Sequence, residues 1–390
     1  MLIQSPHDPG FVQNPYAVYD RARVDGPVLF WKDYGMLAAF DHATVHALLR
    51  DKRLGRAVPD TRRKPVPDHL KAFHAVERHS LLELEPPEHT RLRRLVLHAF
   101  TSRRIAGLAR NIHAICAELL AALPTGDFDL IPTFCAQVPV RVIARLLGVP
   151  ETMSADLLRW SSAMVAMYQA GRTRAIEDAA NTAAVEFTDF LSSYIETRRN
   201  DPRDDLITEL IAAEAEGQTL ALDEMIGTCV LLLNAGHEAT VHSLGNAVKC
   251  LLETGTAEAL GPDTIDGTVE ELLRFTPPLH MFTRYAYEEV QIGGHVLRPG
   301  EEIALMLGAA GRDPAVFADP HRFDPKRKKP AHLAFGGGLH FCVGAPLARL
   351  EMQIALPALF AHAPQLRIGQ APRFADSYHF HKLDQLKVVI

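Results

Sequence analysis

Phe335-Gly336-Gly337-Gly338-Leu339-His340-Phe341-Cys342-Val343-Gly344 is the stretch on which the fold of this chain turns. Three consecutive glycines permit left-handed backbone and let a flat ligand come close to the main chain. Cys342 follows them, just before an apolar, Ala- and Leu-rich helix predicted over about 345–360. A thiol so placed faces backbone N–H groups and the positive end of a helix dipole, which favour the thiolate. Taken alone, such a cysteine is a nucleophile, a one-point metal ligand, or a small buried hydrophobe after a turn. The glycine run is no dinucleotide fingerprint, because no strand–helix G-x-G-x-x-G spacing surrounds it.

Around this loop the composition is ordinary. The 390 residues carry 41 Lys and Arg against 47 Asp and Glu, a formal charge of −6, and are 47% hydrophobic. That balance speaks against a disordered or fibrous chain. It leaves no basic excess to neutralise phosphates, so nucleic acid is not an expected partner. No apolar run approaches the ~18 residues of a membrane span. The run ending at Leu233 is broken by Asn234, and the opening MLIQSPHDPG lacks an export signal's basic-then-apolar pattern. Five cysteines, at 116, 135, 229, 250 and 342, include no C-x-x-C pair. An odd number without pairing points to a reducing compartment, and the expected location is the cytoplasm.

No repeat, low-complexity tract or flexible linker divides the chain, so the expectation is one large domain over 1–390, mainly α with minor β-sheet. The helix-rich parts fall at about 86–275 and 343–362, the β-rich parts at about 28–40, 282–305 and the C-terminus. One helix is expected over 88–123, behind Pro86-Pro87. Others cover 138–147, 154–169, 174–198, 204–215, 222–253 and 267–275. The strand signals turn at Tyr34-Gly35 and at Gly293-Gly294, the latter a two-residue hairpin connection. The Pro-rich, basic segment 58–67 reads as a surface loop.

The pattern F-G-x-G-x-H-x-C-x-G resembles the haem-binding signature of the cytochrome P-450 family, and every fixed position is filled. The resemblance implies the cytochrome P-450 fold and haem b, iron protoporphyrin IX, as cofactor. It makes Cys342 the proximal iron ligand, takes His340 to a haem propionate, packs Phe335 near the thiolate, and sets Gly336 and Gly344 against the haem. Glu271-Leu272-Leu273-Arg274 resembles the family's E-x-x-R helix, whose ion pair a downstream P-x-R-F arginine completes. Pro320-His321-Arg322-Phe323 fits, giving Glu271, Arg274 and Arg322 as a structural triad. Glu88-His89-Thr90-Arg91-Leu92-Arg93 resembles another family helix, with His89 and Arg93 at i and i+4 able to reach one acidic group. Arg284 matches a strand arginine that pairs with a propionate. These marks follow the family's order along nearly the whole chain.

Leu231 to Thr240 resembles the family's oxygen-binding helix. Ala235 and Gly236 are small enough to let haem come close, and Glu238 stands at the acid position. The next residue, usually a threonine, is Ala239, with Thr240 one place later and turned by about 100°. Glu238 is therefore expected to act through water, with Thr240 or a substrate hydroxyl as the missing donor. A zinc site is not expected, since His237 and His242 lie five apart, about 140° round the helix.

The implied activity is monooxygenation of a lipophilic small molecule by a monomer, fed by a ferredoxin and its NAD(P)H-dependent reductase. Arg91, Arg94 and 326–329 are candidates for the docking patch. Substrate contacts are expected from 79–82, 164–168, 231–235, 279–282 and 378–380, with histidines at 79, 280 and 379. Two alternatives stay open. One is an atypical haem-thiolate reaction such as peroxide-driven oxidation, coupling or dehydration, and the other is a non-catalytic haem sensor.

Overall fold

The structure is a computed structural model and describes residues 1–169, 171–215, 220–328, 331–377 and 380–390, with backbone alone at 98–99 and 214–215. Helix accounts for 55% of the chain and strand for 11%, so the elements are those of a mainly α protein. Its axis is the helix Leu222–Thr254, 33 residues long. The sequence sets both ends. Glu224 reaches back to accept the Ala221 N–H at 3.0 Å, and Gly255 leaves the helix at φ +64°. Nearly every side chain between is buried, which places this helix through the main core. Gln137–Leu147, Ser154–Val165 and Arg174–Arg199 pack around it.

The helix expected over 88–123 is three helices: Glu88–Ala99, Ser102–Gly107 and Ala109–Ala121. Phe100 leaves helical geometry, and Thr101 then caps the next segment, its Oγ1 accepting the Arg104 N–H at 3.4 Å. The periodicity survives across the breaks, so hydrophobic spacing alone could not reveal them. The sequence reading also passed over the N-terminal helices Tyr16–Asp25, His42–Leu48 and Lys71–Glu77.

A five-stranded sheet runs in the order Val28–Trp31, Met36–Ala39, Glu302–Leu305, Phe282–Ala286, Leu54–Gly55. Met36–Ala39 and Glu302–Leu305 pair in parallel, with Leu37 opposite Ile303, and the other pairs are antiparallel. One flank packs on Phe11, Tyr16, Tyr19, Trp31 and Phe40. The hairpin Val290–Ile292 to His295–Leu297 turns on Gly293 and Gly294, at φ +54° and +80°, as its sequence demanded. Residues 60–68 are exposed almost throughout, in keeping with a surface loop. Among the described residues, no helix is long and apolar enough to cross a membrane.

An ion cluster ties Ile265–Phe275 to the segment before the cysteine loop. Arg274 donates to both Glu271 oxygens at 2.7 Å, as the E-x-x-R spacing required. The third arginine is Arg327, whose Nε lies 3.1 Å from each oxygen of Glu271. This corrects the assignment of Arg322. The Arg322 side chain is exposed, and only its carbonyl joins the cluster, accepting from Arg274 at 3.3 Å and Arg327 at 3.0 Å. A turn after Phe323 brings residue 327 back over the carboxylate, and that turn is invisible to motif spacing.

Candidate active site

The cysteine loop is built by its glycines. Gly336 and Gly338 stand at φ +71° and +65°, and a Cβ on Gly338 would lie 2.4 Å from the Leu49 carbonyl oxygen. Cys342 N–H closes the loop on Phe335 O at 3.0 Å. Burial pushes the Cys342 thiol up, while the N–H groups of Gly344 and Ala345 and the charges of Arg93 and Arg349 pull it down. A thiol in that balance yields its proton when a metal cation takes the sulfur. Arg349 lies over the Phe335 ring at 4.6 Å and donates to Glu270 at 2.6 Å, which fixes the aromatic beside the loop.

On the other side of the loop a group of basic side chains faces inward. His89 is fully buried, and neither ring nitrogen has a partner. Burial, with His340 and Arg93 nearby, lowers its pKa to about 4. Its ring centroid is 4.5 Å from that of His340, whose Nε2 is 2.9 Å from Glu85 Oε1. Arg284 is 3% exposed, gives Nη1 to Thr283 O at 2.8 Å, and has no carboxylate of the described residues within ion-pair distance. Burial and the charge of Arg56 push it down to about 10. Arg93 is directed elsewhere, donating Nη2 to Phe341 O at 2.6 Å, so it grips the cysteine loop itself.

Buried donors without partners cost free energy unless an anion satisfies them. His89 and Arg284 therefore fit the carboxylates of a haem, and the Sγ of Cys342 fits its iron. Glu85 and Arg56 belong to the same group and escaped the sequence reading. Glu85 stands directly before Pro86-Pro87, which drew attention only as a helix start.

The helix Leu222–Thr254 carries the residues expected to meet oxygen. Met225 to Asn234 are all buried, yet Ala235 is exposed, and Gly236 and Ala239 are half-buried. Small residues thus open a strip of accessible surface midway along a core helix. Thr240 lies off that strip, buried, its Oγ1 donating to Gly236 O at 3.3 Å. Glu238 lies at its edge, with Oε1 3.0 Å from His242 Nε2 and 3.9 Å from Lys382 Nζ, and Oε2 3.5 Å from His237 Nε2. His237 Nδ1 in turn meets Ser161 Oγ at 3.1 Å. Among the described residues no group of three His, Cys, Asp or Glu side chains could hold a metal ion.

The substrate loops divide. Leu279 bridges Phe380, and the Phe380 ring is 5.9 Å from His242. Asn234 Nδ2 donates to Met164 Sδ at 3.8 Å. His280 does not join this side. It is fully buried against Tyr19 and Tyr16, its Nδ1 3.0 Å from Tyr19 Oη, because alternation along the chain turns it opposite to Leu279. Tyr378 and His379 lie outside the described residues. Arg91 of the expected docking patch is engaged by Glu224 at 3.2 Å, whereas Arg94 is exposed.

A glycine-built cysteine loop with buried basic side chains beside it fits a haem-thiolate site. The Cytochrome P450 family model matches residues 264–362. The chain is 36% identical to the cytochrome P450 monooxygenase PikC of Streptomyces venezuelae, over 93% of this chain and 87% of that protein. Its fold superposes on P450BioI, solved with an acyl carrier protein ligated to hexadec-9Z-enoic acid, with a TM-score of 0.91. That match has 32% identity and covers 98% of this chain and 100% of the other. The tirandamycin C-bound P450 monooxygenase TamI matches with a TM-score of 0.87, 34% identity and full coverage of both chains. The chain belongs to the cytochrome P450 family. It is a haem-thiolate monooxygenase that uses haem b.

Proposed function

We propose that this monooxygenase oxidises a lipophilic small molecule carrying a polar group, as a cytoplasmic monomer supplied by a ferredoxin and an NAD(P)H-dependent reductase. Cys342 is the proximal ligand in this reading, with His89, Arg284 and His340 toward the propionates and Ala235, Phe335, Gly336 and Gly344 lining the ring. Arg93 supports the loop by holding the Phe341 carbonyl. The observation that carries the assignment is the pairing of partnerless buried His89 with Arg284 beside the Cys342 loop. Bound there, haem supplies the iron for dioxygen activation, and a thiolate ligand favours O–O cleavage.

The chain's own residues do the rest. Leu231, Leu232 and Phe380 are buried apolar groups that keep water from the strip. Glu238 orients water, and a substrate hydroxyl serves as the donor that Ala239 lacks. Thr240, held by Gly236 O, sets the backbone at the strip. Exposed Arg94 and Leu97 on Glu88–Ala99 and exposed Leu339 and Phe341 on the cysteine loop, two segments joined by the Arg93 bond to the Phe341 carbonyl, offer a surface suited to a small acidic redox protein.

Three experiments test this. Reduced protein under carbon monoxide should give the red-shifted Soret band of thiolate ligation, and Cys342→Ala should lose it. Product formed per NADH should fall in Glu238→Gln and stay high with a substrate whose hydroxyl is retained. If hydrogen peroxide alone sustains faster turnover than the ferredoxin system, the electron-supply part is wrong.

A further inference from the structure

Glu238 is not a free acid, and its setting points to a second residue. His242 is one turn along the same helix and donates from Nε2 to Glu238 Oε1 at 3.0 Å. On a helical wheel Glu238 lies about 60° from Ala235, and His242 only about 20° from it on the same side. The i+4 partner therefore draws the carboxylate toward the accessible strip formed by Ala235 and Ala239. The Phe380 ring meets the imidazole edge-on, with centroids 5.9 Å apart.

The remaining surroundings of the carboxylate are weaker. His237 faces Oε2 at 3.5 Å, beyond good hydrogen-bonding distance, and is committed at Nδ1 to Ser161. Lys382 reaches Oε1 only at 3.9 Å. Side-chain exposure is 24% at Lys382, 11% at Glu238, 7% at His242 and 3% at His237, so both imidazoles are drier than the carboxylate they face. Burial alone would raise the Glu238 carboxyl. The His242 hydrogen bond, helped by the charges of His242, His237 and Lys382, holds it down to about 2. Oε2 is left as the oxygen able to bind water.

We propose that His242 is a positioning residue for proton delivery: by clamping Oε1 of Glu238 it holds the carboxylate at the edge of the Ala235–Ala239 strip, compensating for the hydroxyl absent at residue 239. The proposal rests on the monooxygenase role of Glu238 given above.

The test uses the holoenzyme with His242→Leu and His242→Gln. Leucine keeps bulk and loses the donor, whereas glutamine keeps an N–H at the same reach. Product per NADH, substrate affinity from the spin-state shift, and the Glu238 carboxylate signal in the carbon monoxide-bound ferrous protein are measured. That signal is assigned by its loss in Glu238→Gln. The leucine variant should lose about tenfold in product per NADH, the worth of one charge-assisted hydrogen bond. Its affinity should stay within about twofold, and its Glu238 signal should titrate between pH 5 and 8, where the wild-type signal is constant. Glutamine should restore coupling and the constant signal. Unchanged coupling in the leucine variant, a Glu238 signal that stays constant in it, or a joint loss of affinity that glutamine does not rescue would each overturn the role. The carboxylate titration needs no turnover, so failure of the clamp shows separately from failure of the monooxygenase reading.

Discussion

Arg327 directs its Nε at both carboxylate oxygens of Glu271, 3.1 Å from each, while Arg274 holds the same oxygens at 2.7 Å. Asp324 N–H adds a third donor at 3.0 Å. A buried carboxylate is costly unless it is paired and hydrogen-bonded, and here every donor comes from the segment leading to the haem loop or from the helix itself. The cluster thus converts an electrostatic requirement into a fixed path for residues 318–327.

Removing one member of that cluster should be expensive. Arg327→Ala should cost about 3 kcal/mol in urea unfolding, the scale for breaking a buried ion pair. Arg322→Ala should stay within about 0.5 kcal/mol, because its side chain is exposed and its carbonyl survives the change. Equal losses in the two variants would return the triad to residue 322.

Gly338→Ala should cripple the loop. The residue sits at φ +65° and its new Cβ would overlap the Leu49 carbonyl at 2.4 Å, a backbone atom that cannot swing aside. Strain alone is about 1–2 kcal/mol, and the clash adds to it. The variant should purify with little haem, whereas Gly107→Ala, at an exposed helix end where the new Cβ meets nothing within 4 Å, should retain it. Haem content per protein from absorbance decides between them.

Arg284→Leu and His89→Phe should each speed haem loss. Each removes a charge-assisted or buried donor worth about 1.5–3 kcal/mol, on the order of tenfold to a hundredfold in rate of transfer to an acceptor apoprotein. Loss at the wild-type rate in both would move the propionates elsewhere.

A pH effect is built in away from the haem loop. Glu77 Oε2 accepts from Tyr168 Oη at 2.7 Å, and burial raises the Glu77 carboxyl from 4.5 to about 7. The folded state therefore keeps a proton that the unfolded chain releases, so this group's contribution to stability declines as pH rises from about 4.5 to 7 and is flat above. Glu77→Gln removes that dependence. Its stability relative to wild type should improve by about 2–3 kcal/mol between pH 5 and pH 8, measured by urea unfolding. A constant difference across that range would show the carboxyl to be ionised throughout.

Much of the site was legible because its chemistry is local. The glycines, His340 and Cys342 lie within one loop, and Glu271 with Arg274 lie on one helical turn. His242 was legible too, at i+4 from Glu238, but the sequence reading weighed it only against His237 as a zinc pair. Glu85, Arg56 and Arg327 were not, since each meets its partners only through chain reversals that periodicity does not encode.

By itself, the sequence determined the long apolar helix, the hairpin at Gly293-Gly294, the haem-thiolate family and the residues of the cysteine loop. These depend on φ preferences, hydrophobic period and contacts a few residues apart. Only the tertiary structure decided that Met36–Ala39 lies parallel to Glu302–Leu305, that His280 faces Tyr19 and away from the pocket, and that Arg327 takes the place expected for Arg322. Those outcomes are set by burial and by which distant groups can satisfy one another's charge, quantities that exist only once the chain has closed on itself.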